Sequence, residues 1–126
     1  MNSAHQTRRI SIVDDDASIR EALKSLMRSV NFNVEAFSSA EEFLASDRSA
    51  ETECLILDVY LPGMNGFELQ EQLNAQRSQI PIIFITAHAD DMLRRRAISA
   101  GAAEVLAKPV RREILFNAIE SATRHS

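Results

Sequence analysis

Side chains suited to phosphoryl chemistry stand at the ends of short apolar runs in this sequence. Asp14 and Asp15 follow the first run, Asp58 follows the third, Thr86 the fourth and Lys108 the fifth. A carboxylate can attack phosphorus and form an aspartyl-phosphate. A metal ion, an ammonium and a hydroxyl would stabilise the charge that spreads over the oxygens of the transferring group. These residue types therefore predict phosphoryl transfer to an aspartate.

The acidic residues also indicate a cation. Several carboxylates in one place repel, and each raises the pKa of its neighbours unless a cation lies among them. Mg²⁺ suits such a site, because it is a hard ion usually held by one or two carboxylates together with phosphate oxygens and water. Asp14, Asp15 and Asp58 are the candidate ligands. Asp16 completes the acidic run, but it could equally be the N-cap of a following helix.

An alternation of strands and helices must position these residues. Three of the apolar runs are nearly continuous in apolar residues, which is typical of parallel strands buried on both faces. Amphipathic segments separate the runs, so we predict a doubly wound α/β sandwich. Ligands bind such sheets beyond the carboxyl ends of the strands, where the candidate residues should meet. The predicted strands are Arg9–Val13, Asn33–Phe37, Cys54–Leu57, Pro81–Ile85 and Ala103–Ala107.

Local patterns predict where the helices begin and end. Ser18 with Glu21, and Ser39 with Glu42, fit the capping box that opens a helix. Gly101 suits the position after a helix C-terminus. The later helices are predicted at Gly66–Gln76, Asp90–Ala100 and Arg111–Thr123.

Composition narrows the class of protein. The 126 residues suit one domain, and 45% apolar with 25% charged residues is ordinary for a soluble globular protein. The net charge of −4 leaves no basic surface for nucleic acid. No apolar run approaches the ~18 residues of a membrane span, and residues 1–9 lack a signal peptide, so we expect a cytoplasmic protein. The one cysteine, Cys54, should be buried.

Taken together, the motifs resemble the receiver domains of bacterial two-component response regulators. We therefore expect a flexible tail at residues 1–8, a receiver domain at 9–124 and a C-terminal end at 125–126. The resemblance implies a flavodoxin-like (βα)5 fold, with a parallel five-stranded sheet in the order 2-1-3-4-5 and helices on both faces. The contexts of Phe43 and His88 are most similar to receivers that precede a helix-turn-helix output. The motifs that carry the resemblance are Ile12–Asp16, Leu57–Gly66, Ile85–His88, Gly101–Ala103 and Lys108–Pro109.

The resemblance also implies a function. Asp58 would accept a phosphoryl group from a sensor histidine kinase or a phosphotransfer protein. Asp14, Asp15 and Asp58 would hold Mg²⁺ together with the backbone carbonyl of Tyr60. The protein would be a signalling switch rather than an enzyme, with at most autophosphorylation from small donors and autodephosphorylation. It would pass its signal to a partner or to an output domain outside this chain.

Thr86 and Lys108 would complete the phosphoryl site. Thr86 would contact a phosphoryl oxygen once Asp58 is modified, and Lys108 would pair with the phosphoryl group. The Lys108–Pro109 peptide bond is expected to be cis, which only proline permits at low cost.

Val105 departs from the family pattern, because many receivers carry Tyr or Phe at this readout position. That ring normally turns inward as the threonine moves, whereas valine has no ring and one stiff rotamer choice. Thr86 could still move its loop, and a weakly switching scaffold is the alternative.

Tyr60 and His88 lie two positions after Asp58 and Thr86. We hypothesise that their rings shield the aspartyl-phosphate from water. The alternative is a pair of surface side chains without kinetic effect.

Partner surfaces are expected on the later helices. The run Arg94–Arg96, extended by Arg111 and Arg112, is either a contact patch for an acidic partner or a solvated face. The fourth helix, fifth helix and last strand form a candidate homodimer surface.

Two other classes compete with this interpretation. Haloacid-dehalogenase-like phosphatases also form aspartyl-phosphates, and Asp14–Ser18 imitates their Asp-x-Asp motif. They need further acidic metal ligands after the lysine, where only Glu113 and Glu120 follow, both inside a predicted helix. A transcription factor is the second class. No helix-turn-helix pattern follows the last helix, so we expect a stand-alone receiver or part of a longer regulator, without nucleic-acid binding by this chain alone.

Overall fold

A five-stranded parallel sheet is the middle layer of the computed structural model, which describes residues 8–124. The strand order is β2-β1-β3-β4-β5, with every pair parallel, so the predicted flavodoxin-like topology is confirmed. Residues 1–7 of the predicted tail and the predicted end at 125–126 lie outside the described residues. The elements are β1 (Arg9–Val13), α1 (Ala17–Ser29), β2 (Asn33–Phe37), α2 (Ala40–Ala45), a 3-10 helix (Asp47–Ala50), β3 (Cys54–Asp58), α3 (Gly66–Ala75), β4 (Ile82–Thr86), α4 (Asp91–Ser99), β5 (Glu104–Ala107) and α5 (Arg112–Thr123).

The central strands are buried on both faces. β3 and β4 are buried at every position, and β1 at every position except Arg9. Neighbouring residues of a strand point to opposite faces of the sheet. Leu57 and Phe84 accordingly pack under α2, α3 and α4, whereas Ile12 and Ile83 pack under α1 and α5. The nearly continuous apolar runs of the sequence therefore reflect helices covering both sides of the sheet.

Cys54 is fully buried in β3, as predicted. Burial raises the pKa of its thiol to about 12. The group therefore stays protonated and packs as a small hydrophobic side chain.

The predicted capping box at Ser18 and Glu21 is wrong. Asp16 is the N-cap of α1, and its carboxylate accepts hydrogen bonds from the amides of Ser18 and Ile19 at 2.9 and 3.2 Å. The helix begins at Ala17, so Ser18 already lies in the first turn and its amide needs an acceptor. The interpretation of Asp16 as a cap is the correct one.

The second predicted box forms only in part. The hydroxyl of Ser39 caps α2 by accepting from the amide of Glu42, but the Glu42 carboxylate accepts from the amide of Ser38 instead of closing the box. A complete box that the sequence patterns did not single out opens α3, between Asn65 and Glu68.

The later helices agree with their predicted spans to within one residue at each end. Gly101, at φ 106°, follows α4 as predicted, in a conformation that favours glycine. The Lys108–Pro109 bond is cis, as the resemblance implied. Within residues 8–124, the helices are all too short or too polar to cross a bilayer.

Gly66 fixes the distance between the end of β3 and the start of α3. A Cβ at this position would lie 2.6 Å from the carbonyl oxygen of Asp58 and 2.9 Å from the Cα of Val59. The amide of Gly66 also donates to the carbonyl of Val59 at 2.9 Å. Close backbone approach at this glycine thus holds the segment that contains Asp58.

The corrected cap gives a stability prediction. Asp16→Ala should lower the free energy of unfolding by about 1 kcal/mol, because two amides at the start of α1 lose their acceptor. Asp16→Asn should retain most of the stability, since its side-chain oxygen also caps. Ser18→Ala should leave the unfolding midpoint unchanged in urea titrations near neutral pH without Mg²⁺. If Ser18→Ala lowered the stability and Asp16→Ala did not, Ser18 would be the N-cap of α1.

Candidate functional site

The carboxyl ends of four neighbouring strands bring the candidate polar residues to one edge of the sheet. Asp58 ends β3, Thr86 ends β4, Asp14 directly follows β1 and Lys108 directly follows β5. These strands are adjacent in the order β1-β3-β4-β5. Asp14 and Thr86 are fully buried, Asp58 is nearly so, and Asp15 is exposed at the mouth of the site.

Lys108 joins the two buried carboxylates. Its Nζ lies 3.0 Å from Asp14 Oδ2 and 3.1 Å from Asp58 Oδ2. The ammonium donates a hydrogen bond to Asp58, whereas its contact with Asp14 is ionic and lacks hydrogen-bond alignment. Burial alone would lower the pKa of Lys108, but the carboxylates of Asp14 and Asp58 outweigh burial and the pKa is raised. The lysine is therefore charged at neutral pH.

Asp58 carries a carboxylate that its surroundings destabilise. Burial raises its pKa, the neighbouring charge of Asp14 raises it further, and Lys108 and the amide of Tyr60 offset this only in part. A divalent cation would favour the ionised form, because an opposite charge within a few ångströms lowers a carboxyl pKa.

The acidic cluster fits a hard cation. Oxygens of Asp14, Asp15 and Asp58 lie within 4.8 Å of one another. Asp14 Oδ2 is buried, and the ion pair with Lys108 is its one polar contact among the described residues, so the oxygen can accept a further partner. Carboxylate oxygens are the ligands that Mg²⁺ prefers in proteins. The donor set and the unsatisfied oxygen therefore both suit a divalent ion.

Two tight turns orient the groups around the cluster. The amide of Tyr60 donates to Asp58 Oδ1 at 3.2 Å, and the amide of His88 donates to Thr86 Oγ1 at 3.2 Å. That hydroxyl donates to no acceptor among the described residues, so its proton is available for an acceptor in the site. The side chains of Tyr60 and His88 are both exposed.

Val105, at the position predicted for the readout, is buried in the apolar layer under α4. Its carbonyl accepts a hydrogen bond from Arg94 Nη1 at 2.7 Å, and this contact ties α4 to the last strand. The sequence patterns gave no indication of this contact.

The three arginines of the run in α4 have different surroundings within the chain. Arg94 binds the backbone of β5, and the guanidinium of Arg96 lies 4.0 Å from the centre of the Phe67 ring. Arg95 is exposed. The three side chains point in different directions because consecutive helix residues are about 100° apart. Arg94 is held by β5, and the acidic-partner interpretation of the exposed Arg95 and Arg96 stays a prediction.

Arg20 is a further residue that the sequence patterns missed. Its Nη1 donates to the carbonyl oxygen of Asp14 at 2.8 Å, across the β1–α1 turn. In the sequence, the only indication of this contact was the position of Arg20 near the start of the first predicted helix.

Comparison with known proteins agrees with this geometry. Residues 10–120 match the response regulator receiver domain family. The response regulator protein TodT of Pseudomonas putida is 47% identical over 115 residues, which are 91% of this chain and 51% of that protein. The transcriptional regulatory protein FixJ of Bradyrhizobium diazoefficiens is 38% identical over 117 residues, 93% of this chain and 57% of that protein. The solved structure of the response regulator StyR matches with a TM-score of 0.86 and 47% identity, covering 94% of this chain and 60% of that one.

The matches cover most of this chain but only part of each of these relatives. The chain spans about half the length of the curated relatives that it matches. The family match nevertheless includes all five strands, apart from Arg9 at the start of β1, and every candidate residue of the acidic site. The chain belongs to the response regulator receiver domain family, whose members are the switches of two-component signalling systems.

Proposed function

We propose that Asp58 is the phosphoacceptor of this receiver, with a sensor histidine kinase or a phosphotransfer protein as the donor. An Asp58 oxygen would attack phosphorus while the bond from phosphorus to the donor nitrogen breaks, giving an aspartyl-phosphate. The observation that carries the proposal is the Lys108 ammonium between Asp58 and Asp14. It places a fixed positive charge 3.1 Å from a carboxylate oxygen at the strand ends, where charge would develop.

Mg²⁺ is the proposed cofactor. The carboxylates of Asp14, Asp15 and Asp58, with the backbone carbonyl of Tyr60, would hold the ion. When bound, Mg²⁺ would neutralise charge on the phosphoryl oxygens. The grouping of the three carboxylates and the buried Asp14 oxygen without a hydrogen-bond donor support this assignment.

Lys108 and Thr86 are the proposed contacts of the phosphoryl group. Lys108 stays charged because its pKa is raised, so it can pair with phosphoryl oxygens once Asp58 is modified. The hydroxyl proton of Thr86 would be donated to one of those oxygens. Since Val105 supplies no aromatic ring, we propose that the signal leaves through displacement of the β4–α4 turn by Thr86.

The output of the switch is proposed to lie in a partner or in a further domain of a longer regulator. One relative is named a transcriptional regulatory protein, and the chain spans about half of that protein's length. The surface of α4, β5 and α5 is the proposed homodimer interface, where Ile98 and Ile114 are exposed apolar residues. The domain at 9–124 would act in the cytoplasm. Its own chemistry would be limited to autophosphorylation from small donors and autodephosphorylation.

Phosphorylation is the direct test. Incubation with acetyl phosphate should label the wild type only when Mg²⁺ is present, and Asp58→Asn should abolish labelling because the nucleophilic oxygen is lost. Intact mass and peptide mapping give the site. Labelling of Asp58→Asn would overturn the assignment, and modification of Asp14 in the wild type would favour the haloacid-dehalogenase-like chemistry.

Removal of the Asp58 charge should stabilise the protein when Mg²⁺ is absent. The folded-state pKa of Asp58 is raised, so the folded protein binds this proton more tightly than the unfolded chain. The ionised group therefore costs stability as the pH rises through the raised pKa. Asp58→Asn should have a higher urea midpoint than the wild type near neutral pH, and the difference should vanish at acid pH.

The matched control for this measurement is Glu71→Gln, an exposed carboxylate on α3. It should leave the midpoint unchanged across the same pH series. A lower midpoint for Asp58→Asn at neutral pH would show that the ion pair with Lys108 outweighs burial and the charge of Asp14.

Tyr60 and His88 are proposed to protect the phosphorylated state. Tyr60→Ala and His88→Ala should each shorten the lifetime of the aspartyl-phosphate, because water would approach phosphorus more freely. Decay of the labelled protein after removal of the donor measures the rate. Glu71→Ala, at an exposed position on α3 outside the proposed homodimer surface, serves as control. Unchanged rates in both site variants would end the shielding hypothesis.

A further inference from the structure

Arg20 makes the one hydrogen bond to the peptide group that connects Asp14 to Asp15 in the described part of the chain. Its Nη1 donates to the Asp14 carbonyl oxygen at 2.8 Å. The other polar atoms of Asp14 have different neighbours. Its amide donates to Phe37, its Oδ1 accepts from the amide of Asp16, and its Oδ2 lies beside Lys108. Arg20 thus supplies a contact that none of the other groups replaces.

The orientation of this peptide group determines where Asp15 points. A peptide unit is planar, so the direction of the Asp14 carbonyl fixes the plane from which Asp15 continues. Within residues 8–124, no side-chain hydrogen bond or ion pair holds the exposed carboxylate of Asp15. Its location within 4.8 Å of the Asp14 and Asp58 oxygens therefore depends on the backbone.

We propose that Arg20 is a positioning residue for the divalent cation. The guanidinium holds the Asp14–Asp15 peptide so that both carboxylates face Asp58. A charged donor to a carbonyl makes a stronger hydrogen bond than a neutral one. Arg20 is half-buried, so few water molecules can compete for its hydrogen bond to the Asp14 carbonyl. This inference rests on the proposed function, because it takes the acidic cluster as the Mg²⁺ site.

The sign of the effect separates positioning from simple electrostatics. A guanidinium beside a cation site repels the incoming ion, so loss of its charge alone would tighten Mg²⁺ binding. Loss of the hydrogen bond would instead release the Asp14–Asp15 peptide and weaken binding. Partners that orient metal ligands in this way typically contribute about 10- to 100-fold to metal affinity. The positioning role therefore predicts a change opposite to that expected from charge.

The experiment is a Mg²⁺ titration of the unphosphorylated protein by calorimetry, with the fluorescence of Tyr60, the single tyrosine in a chain without tryptophan, as a second readout. Arg20→Met should weaken Mg²⁺ binding by about tenfold or more. Arg20→Lys should lie between Arg20→Met and the wild type, because an ammonium keeps the charge but has a different reach. Arg28→Met removes an exposed arginine from the last turn of the same helix and should bind Mg²⁺ like the wild type.

Unfolding in urea without Mg²⁺ separates a local from a global effect. Arg20→Lys keeps the charge and the apolar stem, so it should fold even if Arg20→Met does not. Weaker Mg²⁺ binding by Arg20→Lys, with an unchanged urea midpoint, supports the proposal. Mg²⁺ binding that is equal to that of the wild type, or tighter, in a folded Arg20 variant overturns it. In that case, Mg²⁺-dependent labelling of the wild type on Asp58 would still support the proposed function. A wild type that binds no Mg²⁺ would overturn both.

Discussion

The burial of two like charges at the ends of neighbouring strands is the constraint on which this structure depends. Asp14 follows β1 and Asp58 ends β3, and the charge of Asp14 raises the pKa of Asp58. The fold offsets this repulsion with one half-buried ammonium from a third strand end, that of β5. The compensation is incomplete, since the pKa of Asp58 stays raised although Lys108 lies beside it. An acidic site of this kind favours the arrival of further positive charge.

The surrounding elements hold this unfavourable arrangement in place. The strands that carry the acids are almost entirely buried, and apolar layers on both faces of the sheet prevent them from moving apart. Gly66 permits α3 to begin against the backbone of Asp58, so the strand end that carries this carboxylate is closely packed. Tyr60 and His88 lie instead on exposed turns after the strands. The acidic cluster thus combines buried strand ends with exposed turns.

The attachment of α4 to the rest of the domain rests on polar contacts as well as on a small apolar face. Only Leu93 and Ala97 of this helix are buried. Arg94 joins the helix to the backbone of Val105, and Arg96 covers the ring of Phe67. Hydrogen bonds and ring contacts of long side chains can rearrange at lower cost than a packed apolar core. The helix beside the site is therefore better placed to shift than the strands beneath it.

The sequence by itself determined the fold, because short continuous apolar runs that alternate with amphipathic segments are typical of parallel strands covered on both faces. The meeting of Asp14, Asp58, Thr86 and Lys108 at one edge followed, since the carboxyl ends of parallel strands converge. Tertiary structure decided what no pattern encodes: that Asp16 rather than Ser18 caps α1, that Lys108 is shared between two carboxylates, and that Arg20 and Arg94 bind backbone carbonyls. Long side chains choose partners by direction and distance in the folded protein, and spacing along the chain does not specify either.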